Sequence, residues 1–318
     1  MKILLLDKNH PLITEQLSAK GFVFEEDFTS SYDEVLKKIS NYDGIIIRSR
    51  IPVDKNFLEH AKNLKFIARV GAGMENIDEI TAEKLGIKLI SSPEGNRDSV
   101  AEHVVGMLLI LMNRLFIASL EVKNGIWKRE ENRGDELLGK TFGIIGYGNM
   151  GKAVAKRLSG FGVNVIFHDL KKNLSDEFGT QVSLETLKKE ADILSLHLPI
   201  TTETHHIIDG KFIDEMEKHF YFINTARGKN VKTSDLVLAI KSGKIKGACL
   251  DVLEYEKASF ENLDTSTSKN TAENEDLQYL LHAEKAIVTP HIAGWTHQSK
   301  EKLAQFIVDK ILLNFPKS

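Results

Sequence analysis

The chain has 318 residues, and its 42 lysine and arginine side chains nearly balance its 45 aspartate and glutamate side chains. With a pI near 6.4 and no run of like charges, the composition argues against a nucleic-acid-binding surface. The length predicts two hydrophobic cores. The single cysteine, Cys249, cannot form an internal disulfide, and we interpret it as a buried apolar residue. This cysteine content favours a reducing, cytoplasmic location.

The N-terminal segment MKILLLDKNH has too few apolar residues before Asp7 for a signal peptide, and it predicts a buried first strand. Four more short apolar segments follow in the first third of the chain, separated by polar segments of helical length: FVFEED, GIIIRS, KFIARV and KLISS. This alternation predicts an α/β fold with a parallel sheet.

An incomplete glycine loop, RVGAGMEN, runs from Arg69 to Asn76 between a predicted strand and a predicted helix. Asn76 stands where a third glycine would be needed to bind a pyrophosphate. We therefore expect either a smaller anion, such as a carboxylate, bound by N–H groups at the helix start, or a plain tight turn.

The most apolar segment extends from Val104 to Leu120 and approaches the length of a membrane span. Asn113-Arg114 interrupts it, and Glu102-His103 precede it, so a membrane span is not predicted. We interpret this segment as one long helix buried between domains or subunits.

Six further apolar segments predict a second parallel sheet with crossover helices: TFGIIG, VNVIFHD, ADILSLHL, FYFINTA, KGACLDV and AIVTPH. Between the last two, the polar segment from Glu254 to Gln278 is interpreted as a long loop, either a lid or an insertion. The closing segment from His297 to Phe315 has the apolar spacing of a helix.

The glycine motif GYGNMG, from Gly146 to Gly151, follows a predicted strand and opens a predicted helix. This context is typical of a dinucleotide-binding loop, in which helix N–H groups hold a pyrophosphate. Asp169 ends the next strand, where an acid binds the adenosine ribose and disfavours NADP. NAD is therefore the predicted cofactor, although Lys171 and Lys172 leave the strictness of this choice open.

Arg227 follows the strand FYFINTA, at the carboxyl edge of the sheet, where open α/β sheets place their sites. A guanidinium can hold the carboxylate of a hydroxy or keto acid by two parallel hydrogen bonds, which lysine cannot do. The alternative is an ordinary surface arginine.

Hydride removal from a secondary alcohol also requires a group that takes the hydroxyl proton, and histidine suits this role near neutral pH. His291 follows the last strand and precedes a turn, and His197 is its rival. Three carboxylates are candidates for orienting the imidazole: Asp251, Glu254 and Glu256. The other histidines lack metal-ligand spacing, and no metal site is predicted.

Seven motifs occur in order across nearly the whole chain: RVGAGMENID from Arg69, SVAEH from Ser99, GYGNMG with Asp169, HLPITTET from His197, INTARG from Ile223, GACLDVLEYE from Gly247 and TPHIAG from Thr289. Together they resemble the D-2-hydroxyacid dehydrogenase family. The resemblance implies two doubly wound Rossmann-like domains, a substrate domain of residues 1–98 and 295–318 and an NAD-binding domain of residues 99–294. It also implies a homodimer built around the long helix.

The same resemblance implies hydride transfer between nicotinamide and C2 of a small D-2-hydroxy acid, with Arg227, Glu256 and His291 as catalytic residues. Implied cofactor-binding residues are Gly146, Tyr147, Gly148, Asn149, Met150, Gly151, Asp169, His197, Pro199, Thr204, Thr225, Ala226, Asp251 and Gly294, with Asp251 contacting the nicotinamide carboxamide. Implied substrate-binding residues include Val70, Gly71, Ala72, Gly73 and Asn96.

Two features depart from the family pattern. A polar insertion begins at Lys257, where the family usually has a proline soon after the catalytic glutamate. Trp295 stands where the family more often has a small residue, and it either lines the substrate pocket or packs between the domains.

For the substrate, IIIRSRIPV resembles a segment of the D-3-phosphoglycerate dehydrogenases in which arginines hold the phosphate. Arg48, Arg50 and Arg69 would then form a site for a dianion, which favours 3-phosphoglycerate, serine biosynthesis and a form without a regulatory domain after Ser318. The alternatives are glycerate or hydroxypyruvate, another D-2-hydroxy acid, or a binding protein that senses NAD(H) in the manner of the related corepressors.

Overall fold

The computed structural model describes residues 1–256 and 271–316, in which strands and helices alternate. The strands are β1 (Lys2–Leu5), β2 (Val23–Glu26), β3 (Gly44–Ile47), β4 (Phe66–Arg69), β5 (Lys88–Ser91), β6 (Thr141–Ile145), β7 (Asn164–His168), β8 (Thr180–Gln181), β9 (Ile193–Leu196), β10 (Phe220–Asn224), β11 (Ile245–Leu250) and β12 (Ala286–Val288). The helices are α1 (Leu12–Ala19), α2 (Tyr32–Lys38), α3 (Lys55–His60), α4 (Glu79–Lys84), α5 (Arg97–Met112), α6 (Leu115–Lys123), α7 (Asn149–Leu158), α8 (Leu184–Glu190), α9 (Gly210–Glu215), α10 (Thr233–Ser242), α11 (Thr271–His282) and α12 (His297–Asn314).

The chain forms two compact units, each built on one parallel sheet. Unit 1 comprises Met1–Arg97 and Trp295–Ser318, and unit 2 comprises Asp98–Gly294. The sheet of unit 1 has the strand order β2-β1-β3-β4-β5, and the sheet of unit 2 has the order β12-β11-β10-β9-β6-β7-β8. The predicted α/β fold with two parallel sheets is therefore confirmed.

In unit 1, the central strands are continuous apolar runs because both faces of a parallel sheet are covered by helices. All four residues of β3 are buried. Helix α12 begins with a capping box at Thr296 and buries Ala304, Ile307, Val308 and Ile311 in the same cluster as Ile46 and Phe66. The C-terminal helix thus packs on the sheet formed by the start of the chain.

In unit 2, the strand order reverses beside β6, which has β7 on one side and β9 on the other. The chain runs outward from β6 to β8, and then returns to build β9 to β12 on the opposite side. In open α/β sheets, ligands bind outside the carboxyl ends of the strands at such a reversal. The segments after β6, β7, β9, β10, β11 and β12 carry the predicted catalytic and cofactor residues.

The apolar segment from Val104 to Leu120 does not form the single buried helix expected from the sequence. It breaks at Arg114, whose φ of 52° is left-handed, and α5 and α6 diverge by 59°. Helix α5 packs its apolar face in the core of unit 2, whereas all 9 residues of α6 remain at least partly exposed. Among the described residues, no unbroken helix has the length and apolar character of a membrane span; α5 and α6 meet these criteria only together.

The polar segment from Glu254 to Gln278 is also not a loop throughout. Helix α11 begins at Thr271, and its Leu277 and Leu280 are buried in the core of unit 2. The expectation of a loop was wrong for residues 271–278 because two leucines three residues apart suffice to hold a polar helix against a core. Residues 257–270 lie outside the described part of the chain.

Candidate active site

The glycine motif forms the turn between β6 and α7, at the strand-order reversal. Gly146 has a φ of 93°, and a Cβ there would lie 2.5 Å from the carbonyl oxygen of His197. A Cβ at Gly151 would lie 2.2 Å from the carbonyl oxygen of Gly146. At Gly148, a Cβ would meet no described heavy atom within 4 Å beyond the glycine and its adjacent backbone. Two glycines therefore permit the close packing of the turn, and the third leaves space for a phosphate group.

Asp169 follows β7 directly and is held beside this turn. Its Oδ2 accepts a hydrogen bond from the backbone N–H of Tyr147 at 2.7 Å, and its Oδ1 accepts from that of Lys171 at 2.9 Å. Each carboxylate oxygen has a second lone pair, so both remain able to accept from ribose hydroxyls. The glycine turn and this acid fit an NAD cofactor.

The side chain of Tyr147 has a structural role that the sequence analysis missed. It is buried, stacks on Phe167 at a centroid distance of 3.5 Å, and donates its hydroxyl proton to Asp176 Oδ1 at 2.7 Å. Burial and this carboxylate raise the pKa of the phenol. Within the predicted cofactor loop, Tyr147 therefore presents its backbone, because its ring is enclosed by the protein.

Arg227 lies just after β10 in a segment braced by Asn224. The Asn224 side chain accepts from Ala226 N at 3.0 Å and donates to the Arg227 carbonyl at 2.9 Å. A Cβ at Gly228 would lie 1.9 Å from the carbonyl oxygen of Leu253, so only glycine permits this approach of the two segments. The guanidinium itself donates from Nη1 to the Ala226 carbonyl at 2.7 Å.

His291 and Glu256 form a hydrogen-bonded pair, with 2.8 Å between His291 Nδ1 and Glu256 Oε2. Glu256 Oε1 accepts from the backbone N–H of Leu253, which holds the carboxylate within its own turn. His291 has a left-handed φ of 55°, and its N–H is bonded to the carbonyl of Asp251 at 2.9 Å. Of the three carboxylates that the residues alone left open, Glu256 contacts this imidazole.

Asp251 is buried and anchors the turn that carries His291. Its Oδ1 accepts from Thr289 Oγ1 at 2.6 Å and from Ile292 N at 2.9 Å, and its Oδ2 accepts from Ala293 N at 2.8 Å. These hydrogen bonds within the protein are separate from the expected contact with a nicotinamide carboxamide, which stays a prediction. The sequence analysis missed the anchoring role because it depends on backbone donors of a distant segment.

Glu254, the third carboxylate, belongs to a separate pair. Its Oε1 lies 2.6 Å from His206 Nε2, and its Oε2 accepts from Thr233 N, the first residue of α10, at 3.0 Å. His206 N donates to the Lys229 carbonyl at 2.8 Å. This pair connects the loop after β9 to the segment after Arg227.

The loop after β9 contains three of the predicted cofactor residues. Thr204 Oγ1 donates to the Pro199 carbonyl at 2.7 Å, and Asn230 Nδ2 donates to the carbonyls of Pro199 and Thr204 at 3.3 and 3.0 Å. His197 Nε2 bonds Ser195 Oγ at 2.9 Å, and burial lowers the pKa of this imidazole to about 4. A histidine that is neutral throughout the physiological range is poorly suited to proton transfer there, which weakens His197 as the rival of His291.

In unit 1, the three arginines expected to bind a dianion each contact other groups of the protein. Every guanidinium nitrogen of Arg50 donates to a backbone carbonyl: Nε to Leu6 at 2.6 Å, Nη1 to Ser30 at 2.6 Å and Nη2 to Asp27 at 2.8 Å. These bonds tie the loop after β2 to the end of β1. Three of the five N–H donors of Arg50 are thus used within unit 1, and its role as a phosphate ligand stays a prediction.

The other two arginines also have partners within unit 1. The Arg48 guanidinium lies 4.3 Å from the ring centroid of Trp295, a cation–π contact. Arg69 Nε donates to the Arg48 carbonyl at 3.2 Å. The ring of Trp295, the residue that departs from the family pattern, therefore contacts the guanidinium of Arg48.

The loop after β4 does not open a helix. Helix α4 begins only at Glu79, and Asp78 caps it by accepting from Thr81 N at 3.0 Å. A carboxylate of the protein thus caps the start of this helix, and the choice between a carboxylate site and a plain turn at the loop stays a prediction. The Gly71 carbonyl accepts from Ser92 N at 2.9 Å. Asn96 Oδ1 and Thr225 Oγ1 are buried without a hydrogen-bond partner among the described residues.

Within the described ranges, no group of three His, Cys, Asp or Glu side chains has the geometry of a metal site. The catalytic candidates of unit 2 therefore consist of a guanidinium, a histidine–glutamate pair and a dinucleotide-binding turn.

Comparisons with known proteins agree with this arrangement. The sequence model of the D-isomer specific 2-hydroxyacid dehydrogenase, NAD binding domain, matches residues 105–293. A hydroxypyruvate reductase of Thermotoga maritima is 36% identical over 306 residues, which cover 95% of each chain. A D-3-phosphoglycerate dehydrogenase of Archaeoglobus fulgidus is 32% identical over 98% of this chain, which spans 57% of that protein.

A solved D-lactate dehydrogenase from Aquifex aeolicus, complexed with NAD and lactic acid, superimposes with a TM-score of 0.84. It is 30% identical, and the match covers 99% of this chain and 96% of that one. The chain therefore belongs to the NAD-dependent D-isomer specific 2-hydroxyacid dehydrogenases.

Proposed function

We propose that the protein reduces a small unphosphorylated 2-keto acid with NADH, either hydroxypyruvate to D-glycerate or glyoxylate to glycolate. The observation that carries this choice is Arg50, three of whose five N–H donors bond backbone carbonyls, which leaves at most two for a phosphate. Relatives named hydroxypyruvate reductase and glyoxylate reductase are each 36% identical to this chain. 3-Phosphohydroxypyruvate is the alternative that the test below addresses.

The bound dinucleotide supplies the hydride for C2, and the protein supplies binding and proton transfer. Arg227 binds the substrate carboxylate through its planar fork of donors. His291, held at Nδ1 by Glu256, donates a proton from Nε2 to the carbonyl oxygen that becomes the hydroxyl. The Glu256 carboxylate orients the ring and stabilises the imidazolium before the transfer.

For the cofactor, we propose that N–H groups from Gly146 to Gly151 hold the pyrophosphate and that Asp169 binds the adenosine ribose. The buried, unpartnered hydroxyl of Thr225 supports a bound ligand after β10, since buried polar atoms rarely lack a partner. Contacts from Pro199, Thr204, Ala226 and Gly294 stay predictions. We further propose that unit 2 is the NAD-binding domain and that unit 1 supplies the substrate-binding residues, including Asn96 and the loop from Val70 to Gly73.

The substrate is tested by steady-state assays with NADH and four keto acids: glyoxylate, pyruvate, hydroxypyruvate and 3-phosphohydroxypyruvate. We expect hydroxypyruvate or glyoxylate to give the highest kcat/KM. Turnover of none of them, with NADH still bound, would instead support a nucleotide-sensing binding protein.

Arg50→Ala separates the two substrate assignments, with the exposed Arg133→Ala as a control. A structural Arg50 predicts a lower Tm and the same fractional loss of kcat/KM for hydroxypyruvate and its phosphate. A selective loss of roughly tenfold or more for the phosphate, as expected when one charge-assisted bond is removed, would restore the phosphoglycerate assignment.

We also propose a homodimer formed through α6 and the turn after it. Large apolar side chains are exposed there, including Phe116 at 60% and Trp127 at 77%. Several large apolar side chains exposed along one short segment favour an interaction surface. Sedimentation of wild type and Phe116→Glu tests it: a dimer that becomes a monomer is expected, and a monomeric wild type would contradict the proposal. The cytoplasmic location stays a prediction.

A further inference from the structure

We propose that Ser99 and His103, on α5, form a clamp that positions His291; this rests on the catalytic role of His291 proposed above. The two residues are four apart and lie on one face of the helix. Ser99 Oγ donates to the carbonyl of Ala293 at 2.7 Å, and His103 Nε2 lies 3.0 Å from Thr289 Oγ1. The clamp thus bonds the chain two residues before and two residues after His291.

The hydrogen-bond directions follow from counting protons. Thr289 Oγ1 has one proton, and it points to Asp251 Oδ1 at 2.6 Å, an acceptor that has no proton to give. The bond to His103 must therefore run from the imidazole Nε2–H to the threonine oxygen. His103, Thr289 and Asp251 form a directed chain that ends on the carboxylate anchoring the turn.

The clamped turn has a backbone that needs such support. His291 adopts a left-handed φ of 55°, which a residue with a side chain retains only when its surroundings determine it from several sides. Ile292 N and Ala293 N are already bonded to Asp251. Without the clamp, Ala293 and Thr289 would lose their hydrogen bonds to α5, and the imidazole would lose its fixed direction relative to Glu256.

The experiment compares His103→Leu, His103→Gln and Ser99→Ala with wild type. For His103→Leu we expect kcat to fall roughly tenfold to a hundredfold, because small displacements of a proton-transfer group have effects of that size. The NADH dissociation constant should change less than about twofold, since Asp169 and the glycine turn lie elsewhere in the unit. The solvent isotope effect on kcat should increase, which a general loss of stability would not produce.

Conservative variants and a matched control identify the hydrogen bond as the cause. His103→Gln keeps an N–H donor and should recover most of kcat. Thr289→Ser keeps the hydroxyl, whereas Thr289→Val removes it with little change in shape, so only the valine variant should lose activity. His282→Leu, an exposed histidine bonded to its own helix through Nδ1, should match wild type.

The proposal would be overturned by kcat within about twofold of wild type in both His103→Leu and Ser99→Ala, or by equal losses in Thr289→Ser and Thr289→Val. Nitrogen-15 NMR of the histidine rings gives a readout that does not depend on activity. The His103 signal, assigned by its absence in His103→Gln, should show a proton on Nε2, and a ring protonated only at Nδ1 would contradict the clamp. A wild type inactive on every keto acid would instead contradict the proposed function.

Discussion

Two histidine–glutamate pairs of unit 2 use the same chemistry in different surroundings. His291 Nδ1 lies 2.8 Å from Glu256 Oε2, and His206 Nε2 lies 2.6 Å from Glu254 Oε1. The two glutamates are only two residues apart along the chain. Both histidines have left-handed backbones, with φ of 55° and 52°. Neither distance nor backbone conformation therefore distinguishes the pair that we propose as catalytic.

What differs is the ring nitrogen that meets the carboxylate. His291 uses Nδ1, so the distal Nε2 is the atom for proton transfer, whereas His206 uses Nε2 itself. Glu254 also accepts from Thr233 N at the start of α10, so its pair holds a helix to a loop. A short histidine–carboxylate contact is thus weak evidence for catalysis until the role of each ring nitrogen is known.

Replacing the two histidines should separate the pairs most strongly. We expect His291→Gln to lower kcat by roughly 10²- to 10⁴-fold, the usual contribution of general acid–base catalysis, with NADH binding unchanged. His206→Gln should keep kcat within about fivefold of wild type. Steady-state kinetics and NADH fluorescence titration measure both, and similar losses in the two variants would remove the distinction.

Replacing the two glutamates should also lower kcat more at the proposed catalytic pair than at the other pair, by a smaller factor than replacing the histidines. Glu256→Gln should lower kcat by about a hundredfold, because the amide no longer stabilises the imidazolium during proton transfer. The matched Glu254→Gln should lower it by less than about fivefold. If Glu254→Gln has the larger effect on kcat, the assignment of the catalytic glutamate is wrong.

His197 extends the comparison because its Nε2 bonds the hydroxyl of Ser195 rather than a carboxylate. Burial lowers its pKa to about 4, so between that value and its ordinary pKa of about 6.5 the unfolded chain binds a proton that the folded chain excludes. Stability from this group is complete above the ordinary pKa and falls as the pH falls. Between pH 7 and pH 5 the free energy of unfolding should drop by about 2 kcal/mol from His197.

Urea unfolding of wild type and His197→Asn at the two pH values measures this difference. The variant should lose about 2 kcal/mol less than wild type on acidification, whatever its stability at pH 7. Equal losses in the two proteins would mean that His197 is not held neutral by burial.

The smallest effect concerns the stability provided by the structural pair. Glu254→Ala removes the acceptor of Thr233 N at the first turn of α10 and should destabilise the protein by about 1 kcal/mol. Thermal or urea unfolding detects this, with the exposed Glu130→Ala as a control. Unchanged stability would show that the hydrogen bond at the helix start contributes little.

The sequence by itself determined the elements whose signal is local. Apolar runs marked the central strands because parallel strands are buried on both faces, and the glycine spacing marked the turn after β6 because the close contacts at Gly146 and Gly151 admit no Cβ. It could not show that the polar segment before β12 ends in α11, or that Arg114 breaks the long apolar helix. Both outcomes depend on which side chains of these segments pack in a hydrophobic core.

The tertiary structure decided the partners of the polar side chains. Asp251, Glu254 and Glu256 lie within six residues, and their order along the chain does not reveal which of them meets His291. The sequence also does not reveal that three N–H donors of Arg50 bond the carbonyls of Leu6, Asp27 and Ser30. The physical reason is the same in each case: a hydrogen bond is directional and short, so its partner is chosen by segments that are distant in sequence and adjacent only in the folded chain.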